Sequence, residues 1–238
     1  MVVPPGLLVV VTDVVVVTGS GTGRPTDPDD VRRVRLAVPR TPIWIGSGLQ
    51  PDTVGQFPSF DGAIVGTWLH RDGDLDVLAA SQSERCLSVF LNRGGAVLGA
   101  RHIYDVGTNA MELALGDVNA DGLADVAIAL YPTANVALFR GLGDGTFADP
   151  EFVSCTDQVD DLELADLDGD GRDELVTVLW SAELEVHRAL AGGGFDAPAV
   201  YATSSGPSGI AHGDVDGDGL VDVVVSCGSA DEVQLFRG

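Results

Sequence analysis

The chain has 238 residues, 45% of them hydrophobic and 6% aromatic, with 36 acids against 13 bases and a net charge of −23. Every base is arginine, and without lysine the chain has no Walker-type phosphate loop, no Schiff-base amine and no kinase-type phosphate lysine. So acidic a surface repels nucleic-acid phosphates and anionic membranes and attracts divalent cations.

In chain order, the apolar run 7–17 is interrupted by Thr12 and Asp13 and is too short to insert in a membrane. It lacks the basic flank and small-residue cleavage site of a signal peptide, so it reads as two strands, 7–12 and 13–18. Segments 31–37 and 42–45 supply two more. From residue 62 onward the sequence repeats. The frame D-x-[DN]-x-D-G-x-x-[DE], followed by a β-branched run, occurs at 117–125 (DVNADGLAD), 166–174 (DLDGDGRDE) and 214–222 (DVDGDGLVD). These copies start 49 and 48 residues apart. A degraded copy, 68–76 (WLHRDGDLD), starts 49 residues earlier, with Trp68 and His70 in place of the first two acids. A short apolar strand precedes each full loop. A third strand begins at Val136, Leu184 and Val233, and Gly-rich turns carrying Phe147 and Phe195 lead to a fourth.

Four strands per repeat of about 49 residues is the period of a β-propeller blade. The expectation is therefore an all-β, single-domain β-propeller of about five four-stranded blades, at about 7–46, 62–105, 111–154, 160–203 and 208–238. The last blade lacks an outer strand, which residues 1–3 are expected to supply. The alternative is an arc of a larger propeller.

Acids at loop positions 1, 3 and 5, a turn-forming glycine at 6, a carbonyl at 7 and an acid at 9 make an all-oxygen cage suited to Ca²⁺. The expected ligands are Asp117, Asn119, Asp121, Leu123 and Asp125; Asp166, Asp168, Asp170, Arg172 and Glu174; and Asp214, Asp216, Asp218, Leu220 and Asp222, for about three ions. An EF-hand would need Glu at position 12, where Ile128, Thr177 and Val225 stand. The degraded loop keeps Asp72, Asp74 and Asp76 and reads as a turn that has lost its ion. Cys86, Cys155 and Cys227 show no CxxC spacing and read as small apolar residues at strand ends, with the bridging of one pair left open.

On these motifs, with the Gly-Phe segments 143–147 and 192–198, the chain from about 62 to 238 resembles FG-GAP/VCBS repeat proteins, among them integrin α-chain propellers and some fungal lectins. The resemblance implies a propeller, calcium in the loops between first and second strands, and extracellular adhesion or glycan binding. Tyr131 and Trp180 stand one repeat apart, just after their second strands, at the end opposite the calcium loops. They are candidates for stacking on sugars or anchoring a partner protein, or else for packing between blades. No GxSxG or HExxH occurs, and the glycines 19, 21 and 23 precede no helix. The expected function is a non-catalytic, calcium-binding extracellular module for a glycan or protein ligand. The alternatives are a calcium-dependent polysaccharide lyase or hydrolase, or a structural module flanked by other domains of a larger surface protein.

Overall fold

β-branched runs separated by Gly- and Asp-rich turns become strands throughout, and the described residues form no helix. The computed structural model describes residues 9–11, 14–16, 44–45, 62–66, 76–93 and 97–238. Segments 1–3, 31–37 and 68–75, on which expectations were placed, lie outside the described residues.

The chain divides into two compact units: 1–111 with 143–146, and 112–142 with 147–238. In the first, β1 (Val9–Val11) and β2 (Val14–Val16) form an antiparallel pair, and β3 (Trp44–Ile45) joins β2 in parallel. A four-stranded antiparallel meander follows, made of β4 (Gly62–Gly66), β5 (Asp76–Ser81), β6 (Cys86–Asn92) and β7 (Leu98–Asp105).

The second unit carries the full repeats. β8 (Asn109–Gly116), β9 (Asp125–Tyr131), β10 (Asn135–Phe139) and β11 (Glu151–Ser154) form one antiparallel sheet. β12 (Val159–Ala165), β13 (Glu174–Leu179), β14 (Glu183–His187) and β15 (Ala199–Ala202) form the next. β16 (Pro207–Gly213), β17 (Asp222–Cys227) and β18 (Glu232–Phe236) form a third, three-stranded sheet. The fold is a β-propeller, and these sheets are its blades.

Burial follows blade order. Second strands β5 and β13 are buried at every residue, which explains why their sequences are continuous apolar runs rather than alternating ones. Outer strand β15 is exposed at every residue and β11 nearly so. Neighbouring blades join through side chains from both faces. Val176, Val178 and Leu184 of one pack with Val223, Val225 and Cys227 of the next. Each such aliphatic side chain contributes about 1.5–3 kcal/mol when fully buried. Polar stitches add register: the Asp161 carboxylate accepts the Ile210 N–H at 2.8 Å, and the Asp173 carboxylate accepts the Asp117 N–H at 2.6 Å.

In the three full repeats the acid that opens the second strand is buried, and its carboxylate is also tied to the second residue beyond the third strand. Asp125 accepts from Gly141 N–H (2.8 Å), Asp222 from Gly238 N–H (3.1 Å) and the longer Glu174 from Ala189 N–H (3.3 Å). A Cβ placed on Gly141 would lie 2.3 Å from the Ala124 carbonyl oxygen, and one on Gly238 would lie 2.6 Å from that of Val221. Where the acid is Glu, the receiving residue is Ala and its Cβ fits, buried. In the preceding sheet the equivalent acid, Asp76, accepts the N–H of buried Asn92 at 2.7 Å, so an Asp also tolerates a Cβ at the receiving position, and the close carbonyl approach is particular to Gly141 and Gly238. Gly141→Ala is expected to cost about 1–3 kcal/mol in urea unfolding. An unchanged urea midpoint would contradict the close approach of the Ala124 carbonyl.

Candidate metal loops and ligand face

The three loops share one hydrogen-bond plan. The first acid folds the loop around itself: Asp117 accepts from the N–H groups of Asp121 (3.1 Å) and Gly122 (2.8 Å). Asp166 accepts from Asp170 (3.1 Å) and Gly171 (3.0 Å), and Asp214 from Asp218 (3.1 Å) and Gly219 (3.0 Å). The acid at position 5 then accepts the N–H of position 7, from Leu123, Arg172 and Leu220. Position 6 has φ of 77°, 85° and 91° in Gly122, Gly171 and Gly219, the left-handed backbone that a side chain would strain.

The acid at position 9 also accepts the N–H of position 2, Val118, Leu167 or Val215. Its carboxylate therefore joins the loop to the third strand. Burial pushes Asp125 and Glu174 above the usual carboxylate range, while N–H donors from Gly238 and Val215 hold Asp222 below it.

Ligand oxygens of Asp166, Asp168 and Glu174 lie within 4.8 Å of one another, as do those of Asp214, Asp216 and Asp218. With Ca–O bonds of about 2.3–2.6 Å, two oxygens on one ion stand at most about 5 Å apart, so both donor sets fit calcium. In the first loop Asn119 replaces an acid and its amide donates to Asp121 at 2.9 Å.

Four arginines reach these acids; the sequence had pointed to Arg172 alone, and for its carbonyl rather than its charge. Arg140 pairs with Asp125 at 3.1 Å, Arg188 with Asp168 at 3.4 Å, Arg237 with Asp216 at 3.5 Å, and Arg172 with Asp170. Arg140, Arg188 and Arg237 recur one repeat apart directly after their third strands, a signal visible in a chain with so few bases.

At the other end of the second strands, roughly 20 Å away along six residues of β9, the structure brings Tyr131 and Trp180 together. Their ring centroids are 5.9 Å apart and tilted by 41°. Trp180 remains 58% exposed, and its indole N–H donates to Asp160 at 2.9 Å. The pair thus both packs between blades and presents a fixed aromatic surface.

On the first strands, burial and the charges of Asp161 and Asp160 push Glu112 up to about 7. Burial and Asp161 push Glu163 to the same value; His212 Nδ1 lies 3.9 Å from the Glu163 carboxylate.

The FG-GAP-like repeat family model matches residues 69–128 and 117–177. Those stretches are FG-GAP-like repeats. They span two loops of the plan just described, at 117–125 and 166–174. The BtpA family model matches residues 6–87, where the described residues are short strands. An uncharacterised protein of Thermococcus kodakarensis is 42% identical over 65 residues, 27% of this chain and 24% of that protein. Among solved structures, BBS1N in complex with ARL6DN matches with a TM-score of 0.56 at 12% identity, over 82% of this chain and 53% of that one. An Agrocybe aegerita lectin that recognises non-reducing terminal N-acetylglucosamine matches at 0.51 and 22% identity, over 68% and 46%. The periplasmic gluconolactonase of Pseudomonas aeruginosa matches at 0.52 and 17% identity, over 76% and 52%. At these identities the likeness shows the fold. The chain spans about a quarter of the curated relative's length and about half of each solved chain.

Because the folded state holds the Glu163 proton more tightly than the unfolded chain, stability carried by this group falls as pH rises from about 4.5 to about 7. Glu163→Gln should therefore gain stability relative to the parent across that window. Parallel urea curves for the two proteins at every pH would contradict the shift.

Proposed function

We propose that the chain is a non-catalytic binding module whose loops hold about three calcium ions and whose opposite end binds a glycan or protein ligand. The observation that carries the ligand site is the Tyr131–Trp180 pair, an exposed indole fixed in orientation by Asp160. A ring held this way loses little conformational entropy when a sugar stacks on it or a partner side chain covers it. The FG-GAP-like repeats and the glycan-binding lectin of the same fold support a binding role.

In each loop the carboxylates repel one another and arginines partly neutralise them. Ca²⁺ would relieve that repulsion, with Asp166, Asp168 and Glu174, or Asp214, Asp216 and Asp218, as side-chain ligands. Sites competing with a resident arginine suit a compartment rich in calcium, so we place the module outside the cell or on its surface.

A second reading, a polysaccharide-active enzyme, draws support from Glu112 and Glu163, whose pKa values near 7 suit a general acid. Turnover of acidic polysaccharides that disappears in Glu163→Gln would establish it.

With extracellular-type dissociation constants of about 0.1–1 mM, 1 mM Ca²⁺ at three sites should stabilise the fold by about 1–4 kcal/mol over EDTA. Calorimetric titration should count about three ions; unchanged melting with no uptake would remove the calcium reading. Trp180→Ala should weaken binding at least about tenfold on a glycan array hit, without altering calcium uptake or melting. Binding unaffected by that change would move the ligand site elsewhere.

A further inference from the structure

One interface between blades breaks the repeat. Where β14 faces the preceding blade it carries Glu185 and His187, buried at 0% and 1% exposure. The equivalent residues are Ala137 and Phe139 in β10, and Gln234 and Phe236 in β18. Cross-strand from Glu185 stands Thr177, where the other repeats have Ile128 and Val225. Cys155, just after β11, completes the set; its N–H is held by the Ala134 carbonyl at 2.9 Å.

These side chains converge on one point. His187 Nε2 lies 3.9 Å from Cys155 Sγ and 3.1 Å from Glu185 Oε2, and the donor atoms of the three residues lie within 4.8 Å of one another. Bonds of about 2.3 Å to sulfur and about 2.0–2.1 Å to nitrogen or oxygen, at tetrahedral angles, put zinc ligands about 3.3–3.6 Å apart. The observed spacings bracket that range. A nucleophile–base–orienter relay needs its two partners on different ring nitrogens, whereas here both face Nε2.

The charge on Glu185 is not needed for packing. Its Oε1 accepts the Thr156 N–H at 3.1 Å, and at the next interface Gln234 accepts the Ser204 N–H at 2.9 Å with a neutral amide. The staple therefore works without a carboxylate. The Thr177 hydroxyl is fully buried beside the Cys155 sulfur, to which it can donate. Phe195 packs edge-on against the imidazole at 6.3 Å, fixing its plane.

We infer that Cys155, Glu185 and His187 form a buried site for one zinc-like divalent transition-metal ion, separate from the all-oxygen loops. Sulfur, nitrogen and oxygen donors select such an ion over calcium. A metal takes the thiolate, so each ion bound displaces one proton from the Cys155 thiol to solvent.

The test is a cobalt(II) titration of the full, reduced chain, with calcium in millimolar excess so that the carboxylate loops are saturated. One equivalent should bind with a thiolate-to-cobalt charge-transfer band, and zinc should displace it. Cys155→Ser should abolish the band, while Cys86→Ser and Cys227→Ser should keep it. Glu185→Gln retains the staple, as Gln234 shows, so it should fold normally and bind cobalt more than about tenfold more weakly. Absence of the band in the parent chain would overturn the proposal. So would a band of parental affinity in either Cys155→Ser or Glu185→Gln.

Discussion

Each full blade hangs on one buried carboxylate: Asp125, Glu174 or Asp222. It closes the acidic loop through the N–H of position 2 and reaches across the sheet to the N–H of the second residue beyond the third strand. Two backbone donors are satisfied by a single side chain, and where such a donor is buried, as at Val118 and Ala189, leaving it unpaired would cost about 1–3 kcal/mol. Positions 1 and 5 spend their carboxylates on the loop's own amides, so the acids themselves set the loop's backbone.

The same strands that carry the loops at one end carry Tyr131 and Trp180 at the other. Both ends inherit the rigidity of second strands buried on both faces. The acidic loops and the aromatic pair thus sit on one scaffold without sharing residues. Asp161 and Asp173 lock neighbouring blades in register, so the distance between aromatic side chains on adjacent blades is set by backbone hydrogen bonds rather than by side-chain contacts alone.

The repeating part was legible because strand period, loop frame and glycine position all recur in phase, and each recurrence strengthens the others. β8 to β18 stand where the sequence places strands, and the calcium-type frame lies between first and second strands as read. The start of the chain offered no such reinforcement: two valine-rich runs identified β1 and β2, but nothing in them indicated that β3 would join in parallel. Arg140, Arg188 and Arg237 were readable in principle, since they too recur in phase, but arginine carries no strand or turn signal that draws the eye. The Cys155–Glu185–His187 group was harder. Its members are scattered over 33 positions and meet only because two blades pack face to face; their one trace in the sequence is that apolar or neutral residues occupy the matching positions elsewhere.

The tie from each second-strand acid to the far side of its hairpin has a consequence for how such a chain diversifies. Blades look like interchangeable tiles, yet a crossover point placed inside a second strand or the hairpin after it would graft one blade's acid onto another's receiving residue. Gly141 and Gly238 have a carbonyl oxygen where a Cβ would go, whereas Asn92 and Ala189 carry one. The smallest piece that can be duplicated or shuffled without repair runs from the loop to the second residue beyond the third strand, and recombination is expected to respect those borders.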